Sequence, residues 1–260
     1  MKKQILVLTT AVVSFVIISC SKDRIEPVQS NQDPVAEQTA SSNAPAERLV
    51  INPLNVNLAG SYQFNSDLKD QTRKLADGQR WPLSRVYGAL FTYDRKGNAK
   101  SALKFDGNYY VTIAKVPVQQ KMSLSVWVKR VTIPGSYSAP AIVRHNSTGI
   151  AVMQDENGFW ARVHDYTNSS MTTSLHSNDF IDNNWHHIVV TYADDAMLLY
   201  VDNQLQGKTS NTFTVVDQFT KYILGYAHGY AGQYWKGIID DLRFYNRTLT
   251  ASDVQQLYNL

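Results

Sequence analysis

The chain has 260 residues, of which 43% are hydrophobic and 11% aromatic, so it has enough apolar material for a packed core and is not disordered throughout. It carries 25 Lys and Arg against 22 Asp and Glu, and 23 against 22 once Lys2 and Lys3 are set aside with the leader described below. Because a nearly neutral chain has no overall basic field, we expect no nucleic acid partner.

The first twenty residues have the features of a secretory leader. A short basic start precedes an apolar run over 5–18, which is too short to span a bilayer comfortably. The run ends in Ile17-Ile18-Ser19-Cys20, which resembles the bacterial lipobox, where the chain is cleaved before a cysteine that then receives lipid. We therefore predict a lipoprotein signal peptide over 1–19 and lipidation of Cys20. The alternative is an uncleaved leader in which this cysteine has no special role.

Cys20 is also the only cysteine of the chain. An exported protein with one cysteine can form no intramolecular disulfide, so its fold has to be held by its core or by a metal ion. The same count excludes thiol-based catalysis.

A linker separates this cysteine from the folded part of the chain. Residues 21–57 contain no aromatic side chain and are rich in Pro, Gln, Asn, Ser and Ala, whereas every aromatic residue except Phe15 lies at Tyr62 or beyond. This composition is typical of a flexible linker. We predict a lipidated tether over 20–57, with a reach on the order of 30 Å, and one domain over 58–260.

The domain consists of short apolar or alternating runs separated by turn residues, with no helical stripe of three turns. Strands are clearest over 109–113, 123–129, 159–164, 186–192, 197–202, 222–224 and 237–245. Turn residues at Asp194-Asp195 and Asn203-Gln204 predict hairpins, so the strands that they join are expected to be neighbours.

A strand series of this length without alternating helices is best satisfied by two packed antiparallel sheets. We therefore predict an all-β fold, a two-sheet antiparallel jelly-roll sandwich. Near the end, Thr250 can cap a helix and Asp253 stands three residues on, ahead of Val254, Leu257 and Tyr258. This pattern predicts one short C-terminal helix.

Four segments carry a resemblance to a known family: ALKFDG at 102–107, LSVWVK at 124–129, WHHIVVTY at 185–192 and GIIDDLRFYNRTL at 237–249. In this order, within about 60–258, they resemble the LamG-like jelly-roll domain of the concanavalin A-like lectin and glucanase superfamily. A lipobox, a tether and this domain together are similar to surface lipoproteins of glycan-degrading Bacteroidota. The resemblance implies a lipid-anchored protein of the outer membrane that faces the periplasm or the cell surface.

The first segment departs from the family pattern. The family usually continues from an aromatic strand into an Asp followed by Ser-Gly-Asn-Gly, whereas YQFNSDLKD at 62–70 is followed here by Gln71-Thr72-Arg73. The glycine loop is missing, so we expect the geometry of this loop to differ from that of the family.

The acidic residues argue against glycoside hydrolysis, which needs two carboxylates about 5–10 Å apart. Beyond the tether the chain has one glutamate, Glu156, in a turn-like stretch, and no Glu-x-Asp-x-x-Glu pattern. Asp240 and Asp241 are adjacent in a predicted strand, so their side chains are expected on opposite faces. No serine stands in a Gly-x-Ser-x-Gly context. We predict that the domain is not an enzyme.

Two consecutive histidines, His186 and His187, stand in another predicted strand. They face opposite sides of the sheet and cannot converge on one metal ion from a single face. We expect one of them to be buried and hydrogen-bonded, and we assign His187 a structural role.

Calcium is the inorganic partner that the chain suits best, because hard cations take oxygen ligands. A bound ion would also stabilise a sandwich that has no disulfides. Asp240 alternates with Ile238, Leu242 and Phe244, which predicts a carboxylate on an inward face that must be paired or metal-bound. Related sandwich modules imply ligands from the first strand's loop as well, which gives Asp67, Asp70 and Asp240 as predicted ligands. The alternative is satisfaction by backbone N–H groups or by an arginine such as Arg243 or Arg247.

Aromatic side chains are candidates for sugar binding, because the face of a pyranose is apolar and stacks on aromatic rings. In FWARVH at 159–164, three residues face the core and the other three share the opposite face. Tyrosines of the 225–235 loop can complete a rim. The predicted carbohydrate-binding residues are Trp160, Arg162, His164, Tyr166, Tyr230 and Tyr234. The alternative for Trp160 is simple packing, which we expect for Trp127, Trp185 and Trp235.

The predicted function is therefore non-catalytic carbohydrate binding by a lipid-anchored domain that holds glycan near partner glycan-degrading or transport proteins. Two other classes stay open: a subunit for protein adhesion or assembly, and a diverged glycosidase. A concave face lined by aromatic residues favours sugar, a flat apolar patch favours protein, and two facing carboxylates favour an enzyme.

Overall fold

The computed structural model describes residues 52–82, 90–131, 140–165, 171–178, 180, 182–193, 196–210, 215, 217–227 and 234–260. The predicted signal peptide, Cys20 and most of the predicted tether lie outside these residues. Within them the chain forms a 3-10 turn at Pro53–Asn55, fifteen strands and one helix: β1 (Leu58–Tyr62), β2 (Gln79–Trp81), β3 (Phe91–Thr92), β4 (Ala102–Asp106), β5 (Tyr110–Val118), β6 (Met122–Arg130), β7 (Ala141–His145), β8 (Thr148–Gln154), β9 (Gly158–Asp165), β10 (Met171–Asn178), β11 (Trp185–Tyr192), β12 (Ala196–Val201), β13 (Gln204–Ser210), β14 (Gln218–Leu224), β15 (Lys236–Tyr245) and α1 (Ala251–Tyr258).

The strands form two antiparallel sheets. The eight-stranded sheet has the order β13-β12-β11-β6-β15-β4-β3, with β1 also paired to β15, and the seven-stranded sheet has the order β10-β9-β8-β7-β14-β5-β2. These sheets and α1 confirm the prediction of an all-β two-sheet jelly-roll sandwich with one short C-terminal helix. In the described part of the chain, no helix has the length and apolar character needed to cross a membrane.

The core lies between the two sheets and is supplied by alternate residues of each strand. In β9, Phe159, Ala161 and Val163 are at most 1% exposed and belong to this core, whereas Trp160 and Arg162 between them are half-buried. Successive residues of a strand point to opposite faces, so burial of the first set fixes the second set on the outer face of the seven-stranded sheet. The predicted alternation of this strand is confirmed.

Two hairpins follow one another in the eight-stranded sheet. Strand β11 pairs with β12, and β12 pairs with β13, as the sequence predicts for neighbouring strands. The second turn is formed by Asp202 and Asn203, one residue before the predicted Asn203-Gln204, and Gln204 already belongs to β13. The φ angles of Asp202 and Asn203 are 49° and 64°, a left-handed pair that matches the twist of a tight hairpin. The first turn, at Asp194 and Asp195, lies outside the described residues.

Helix α1 begins as its sequence predicts. The Thr250 hydroxyl accepts from the backbone N–H of Asp253, and the Asp253 carboxylate accepts from the backbone N–H of Thr250, which is a capping box. Arg247 also donates to the Asp253 carboxylate, at 2.7 Å. Val254 and Leu257 of the helix are buried in a second, smaller apolar cluster beside the eight-stranded sheet.

A β-bulge interrupts the regular alternation of β15. Asp240 pairs with Trp127 and Arg243 pairs with Ser125, so three steps along β15 match two steps along β6. The extra residue, Asp241, has a φ of 45°, a left-handed conformation that is uncommon outside glycine.

The bulge overturns the expectation that Asp240 faces inward with Leu242 and Phe244. Ile239, Leu242 and Phe244 belong to the core, and Asp240 lies on the outer face of the eight-stranded sheet, opposite Trp127. The strict alternation assumed from the sequence fails because the bulge inserts one residue between Asp240 and Leu242.

Candidate functional site

The outer face of the seven-stranded sheet carries three of the predicted carbohydrate-binding residues, Trp160, Arg162 and His164, together with other polar and aromatic side chains. Its members alternate with core residues and are aligned across the strands by the register of the sheet. They are Gln79 and Trp81 of β2, Tyr110 and Thr112 of β5, Ile223 and Lys221 of β14, Arg144 of β7, Ala151 and Met153 of β8, Trp160, Arg162 and His164 of β9, and Ser174 and His176 of β10.

Trp160 lies in a small cluster on this face. Its indole stacks on His176 at a centroid distance of 5.1 Å and an interplanar angle of 16°, and the guanidinium of Arg162 lies 5.3 Å from its ring centroid. The Nε1 atom of Trp160 and the Nε atom of Arg162 are buried and have no hydrogen-bond partner within the described residues.

The structure brings Trp160, Arg162 and His164 onto one face, as the sequence predicts, but the three side chains differ in their exposure to solvent. His164 is 7% exposed, whereas the other two are half-buried. His164 is therefore less accessible to a ligand than the sequence suggested. Tyr166 lies outside the described residues.

A second aromatic cluster lies at the other side of the same face. Trp81 and Tyr110 are cross-strand partners, and the Trp81 indole donates to the Thr112 hydroxyl at 3.1 Å. Tyr110 stacks on Tyr226 at 5.3 Å, and Tyr226 contacts Tyr234 at 4.7 Å. Of the predicted tyrosines, Tyr234 thus joins the face, while Tyr166 and Tyr230 lie outside the described residues.

A depression of about 220 Å³ opens beside this second cluster. It combines two aromatic rings with an aliphatic side chain, a hydroxyl, an amide and an ammonium group. The lining residues are Trp81, Tyr110, Thr112, Asn146, Lys221 and Ile223. Its size is below the roughly 300–1,000 Å³ of pockets for drug-sized ligands, so it fits a group of about one ring.

Gly225 makes the position of Tyr226 possible. Its φ is 82°, and a Cβ at this residue would lie 2.4 Å from a ring carbon of Phe105. Any larger residue would have to move buried Phe105, so this turn requires glycine. The turn carries the chain from the core strand β14 to Tyr226, which bridges to Tyr234.

A larger depression, of about 390 Å³, lies near β1 and has no aromatic ring in its lining. Its residues are Asn55, Leu58, Ser61, Gln63, Gln71, Thr72, Lys74 and Arg243. Without a stacking surface it is the weaker candidate for a sugar ring.

His145 lies beneath the outer face, in β7. Burial lowers the pKa of His145 to about 3, and the positive charges of Arg144, His164 and Arg162 lower it further. The imidazole is therefore neutral at physiological pH, and cationic groups crowd the face above it.

Asp240 and Asp241 converge, although the sequence predicted side chains on opposite faces. Nη1 of Arg95 lies 2.7 Å from a carboxylate oxygen of each. The bulge at Asp241 is the reason, because it turns the second carboxylate toward the first. Burial and the neighbouring charge of Asp241 raise the pKa of Asp240 to about 7, while Arg95 opposes this rise. The arginine that satisfies Asp240 is thus neither Arg243 nor Arg247, as had been considered.

The predicted calcium ligands do not form a set. The Asp70 carboxylate accepts four backbone N–H groups and the Thr72 hydroxyl, and although burial opposes ionisation, these hydrogen bonds lower the pKa of Asp70. Asp67 accepts the backbone N–H of Lys69, and Asp240 is bound to Arg95. Within the described ranges no three His, Cys, Asp or Glu residues are arranged to hold a metal ion, so the calcium prediction finds no support there.

Both histidines of the β11 pair are buried, and they have separate structural contacts. His186 lies between Asp202, at 2.7 Å, and Asp182, at 2.8 Å. Burial alone would lower its pKa, but the hydrogen bonds to Asp202 and Asp182 outweigh it and raise the pKa of His186. His187 contacts the Ser125 hydroxyl at 2.9 Å and stacks on Trp127 at 5.0 Å. The two imidazoles face opposite sides, as predicted.

Two of the remaining tryptophans pack as expected. Trp235 is 1% exposed and donates to the side chain of Gln154 at 2.7 Å. Trp127 is 9% exposed and lies under the guanidinium of Arg95 at 4.8 Å. Neither presents a free aromatic surface.

Comparison with protein families gives one match. Residues 105–255 match a family profile described as the concanavalin A-like lectin/glucanases superfamily. The chain belongs to this superfamily. The sequence segments that resembled it lie for the most part within the matched residues. Comparison with curated protein sequences gave no match.

Solved structures with the same superfamily fold cover most of the described domain. Domain 4 of AbnA, a GH43 extracellular arabinanase from Geobacillus stearothermophilus, solved in complex with arabinotriose, is 20% identical, with a TM-score of 0.62 over 78% of this chain and 98% of that one. The binding domain of Paraclostridial Mosquitocidal Protein 1 is 17% identical, with a TM-score of 0.62 over 79% and 52%. The receptor binding domain of botulinum neurotoxin mosaic serotype C/D is 14% identical, with a TM-score of 0.60 over 79% and 51%. At these identities the likeness establishes the fold alone.

Sequence reasoning missed several residues of the superfamily domain that now stand at the two candidate clusters. Trp81, Tyr110 and Lys221 were not singled out, although the alternation of Tyr110 with buried Tyr109 and Val111 was a readable signal. Arg95 gave no such signal, because its partner Asp240 is 145 residues away in the sequence.

Proposed function

We propose that residues 58–260 form a non-catalytic carbohydrate-binding domain, whose ligand lies along the outer face of the seven-stranded sheet. The observation that carries this proposal is the 220 Å³ depression in which Trp81 and Tyr110 stand beside polar groups. A hexose or pentose ring offers an apolar C–H surface and a rim of hydroxyls. The aromatic side chains can stack on the apolar surface, and the polar groups of Thr112, Asn146 and Lys221 can hydrogen-bond to the hydroxyls.

The ligand suited to this face is an extended oligosaccharide. Between β5, which holds Tyr110, and β9, which holds Trp160, lie β14, β7 and β8. With neighbouring strands about 4.8 Å apart, the two aromatic clusters are roughly 19 Å from one another. A chain of several sugar units can contact both, whereas one sugar can contact only one of them.

Absence of catalysis is part of the proposal. The carboxylates of Asp240 and Asp241 both contact the guanidinium of Arg95, so neither is free to act as an acid or a base toward a sugar. Glu156 stands in the exposed turn between β8 and β9. Neither arrangement offers a free acid and base on opposite sides of a sugar.

Three solved structures of similar fold support a binding role. The arabinanase domain was solved with arabinotriose, and the toxin domains are described as receptor binding or binding domains. These descriptions belong to those proteins, and they make ligand capture by this fold a reasonable function for the present chain.

The setting of the domain is proposed from the first sixty residues. The apolar leader, Cys20 and the aromatic-free linker favour a lipid anchor in the outer membrane, with the domain held off the surface by the tether. In that position the domain would hold glycan near glycan-degrading or transport proteins. Membrane contact would be through the lipid alone.

Affinity electrophoresis of the soluble 21–260 fragment in gels containing single polysaccharides tests the binding proposal. At least one polysaccharide should retard the wild type, and Trp81→Ala and Tyr110→Ala should lose this retardation. Tyr93→Ala is the matched control, because Tyr93 is 64% exposed and lies beyond β3 of the other sheet. The proposal is overturned if no polysaccharide is retained, or if both site variants are retained as strongly as the control.

A further inference from the structure

The outer face of the seven-stranded sheet carries three cationic side chains, Arg162, Arg144 and Lys221, between its two aromatic clusters. Arg162 pairs across the sheet with Ala151, and the pairing of Val143 with Val152 puts Arg144 on the other side of Ala151. Ala151 is only 2% exposed although it alternates with core residues and points away from the core. Two arginine residues therefore flank one small, buried residue in the middle of the face.

The charge continues toward the aromatic depression. Arg144 pairs with Ile223 of β14, which lines that depression together with Lys221. Three cationic side chains thus form a band from Arg162, beside Trp160, to the rim of the Trp81–Tyr110 depression. The two proposed stacking positions lie at the two ends of this band.

The described outward positions around the band differ from it in charge. Among the outward positions of the seven-stranded sheet that the structure describes, none is Asp or Glu. Asp155, in the turn that precedes β9, is engaged with His176, with 3.5 Å between Oδ2 and Nδ1. The charges that lower the pKa of buried His145, after burial itself, are those of Arg144, His164 and Arg162. Within the described residues, the buried Nε atom of Arg162 has no hydrogen-bond partner.

We propose that the glycan bound on this face is anionic, with carboxylate or sulfate groups of the sugar chain contacting Arg144 and Arg162 while neighbouring rings stack at the aromatic ends. This inference rests on the proposed function and narrows it to a ligand class. Guanidinium groups suit such a ligand, because they donate paired hydrogen bonds to planar carboxylates and to sulfate-like oxyanions. The nearly neutral overall charge means that the attraction is local to this face.

Binding of the 21–260 fragment to four immobilised probes tests the inference: a homogalacturonan for carboxylate, a sulfated galactan for sulfate, linear arabinan as a neutral glycan, and single-stranded DNA as a polyanion without sugar rings suited to the face. We expect one of the two acidic polysaccharides to bind at least tenfold tighter than arabinan and DNA. The better of the two identifies the anionic group. Raising the salt from about 0.1 M to about 1 M, which shortens the screening length from about 10 Å to about 3 Å, should weaken this binding severalfold.

Variants separate a charge effect from a fold effect. Arg162→Gln and Arg144→Gln should each weaken binding of the acidic glycan about fivefold to tenfold. Arg162→Lys, which keeps the charge but not the paired donors, should weaken it less than Arg162→Gln does. Lys208→Gln, on the exposed strand β13 of the other sheet, is the matched control for loss of one charge. An equal loss in the two Arg162 variants would contradict the inference, because the charge at this position would then have no effect on binding.

The outcomes distinguish this inference from the proposed function. Tight arabinan binding with no preference for acidic glycans overturns the anionic ligand and keeps the carbohydrate-binding domain. If none of the three polysaccharides binds, both the anionic ligand and the carbohydrate-binding function are overturned. Equal binding of DNA and the acidic glycans overturns the inference, since it reduces the face to a non-specific basic surface.

Discussion

Arg95 contacts Asp240 across 145 residues of sequence, and its Nη1 atom lies 2.7 Å from the Asp240 carboxylate. The same atom contacts Asp241 at the same distance, and the guanidinium covers Trp127. The carboxylate is 4% exposed, so it would be strongly unfavourable without this partner. The group that most resembles a catalytic pair is thus explained as a structural link between the loop after β3 and the bulge of β15.

Replacing Arg95 should therefore destabilise the domain. We expect Arg95→Gln to lower the free energy of unfolding by about 2–4 kcal/mol, because two neighbouring carboxylates lose their shared cation. Adding Asp240→Asn to this variant should restore part of the loss, since one of the unpaired charges is then removed. Urea denaturation of the four proteins measures both effects. A change below about 0.5 kcal/mol for Arg95→Gln would show that the link is not structural.

The pH dependence of stability should depend on His187. Burial lowers the pKa of His187 to about 3, so below about pH 6.5 the unfolded chain takes up a proton that the folded chain does not. His145 acts in the same direction, and Asp240, with its raised pKa, acts in the opposite one. Between about pH 5 and pH 6, the two histidines each make unfolding bind one more proton, and Asp240 makes it release one. The net uptake of about one proton means that the free energy of unfolding rises with pH by about 1.4 kcal/mol per unit.

Removing one of these histidines should flatten that profile. His187→Gln keeps a polar group near Ser125, and its free energy of unfolding should be nearly independent of pH over the same window. Denaturation curves at several pH values provide the comparison. A variant slope equal to that of the wild type would mean that His187 is protonated in the folded domain.

The lipid anchor makes a separate prediction. When the full chain is expressed in a bacterium with lipoprotein processing, the wild type should incorporate labelled palmitate and fractionate with the outer membrane. Cys20→Ser should incorporate none, because the lipid-accepting thiol is gone. Ser21→Ala is the control for a change beside the cleavage site. Palmitate labelling of Cys20→Ser at the wild-type level would exclude this anchor.

The two ends of the proposed binding face can be removed together. Trp160→Ala combined with Tyr234→Ala should abolish retention on the glycan, because both aromatic clusters lose a ring. The melting temperature should stay unchanged, since both side chains lie outside the core between the sheets. Affinity electrophoresis and thermal denaturation give the two readings. Unchanged retention would remove these residues from the site.

Local patterns in the sequence predicted the parts of the fold that local physics determines. The alternation around Phe159 and the capping pair of Thr250 and Asp253 each depend on neighbours within a few residues, and both are confirmed. Strands β7 and β8 were missed, because short apolar runs such as GIAVMQ do not distinguish a buried strand from other buried segments.

Features that depend on distant partners could not be predicted in this way. The bulge at Asp241 reversed the assumed face of Asp240, and no pattern near Arg95 shows that it will meet that carboxylate. Trp81 and Thr112 are 31 residues apart, so their shared depression exists only after β2 pairs with β5. Only part of the candidate site could therefore be predicted from the sequence. The alternation of β9 predicts its outward side chains, whereas the depression depends on strand pairing that no local pattern shows.

The central claim is that sugar binds the outer face of the seven-stranded sheet, and a crystal structure of the 21–260 fragment with a retained oligosaccharide tests it most directly. We predict sugar rings against Trp81 and Tyr110, with the chain continuing toward Trp160. Sugar bound instead on the eight-stranded sheet, or at the Arg95–Asp240–Asp241 group, would contradict the claim.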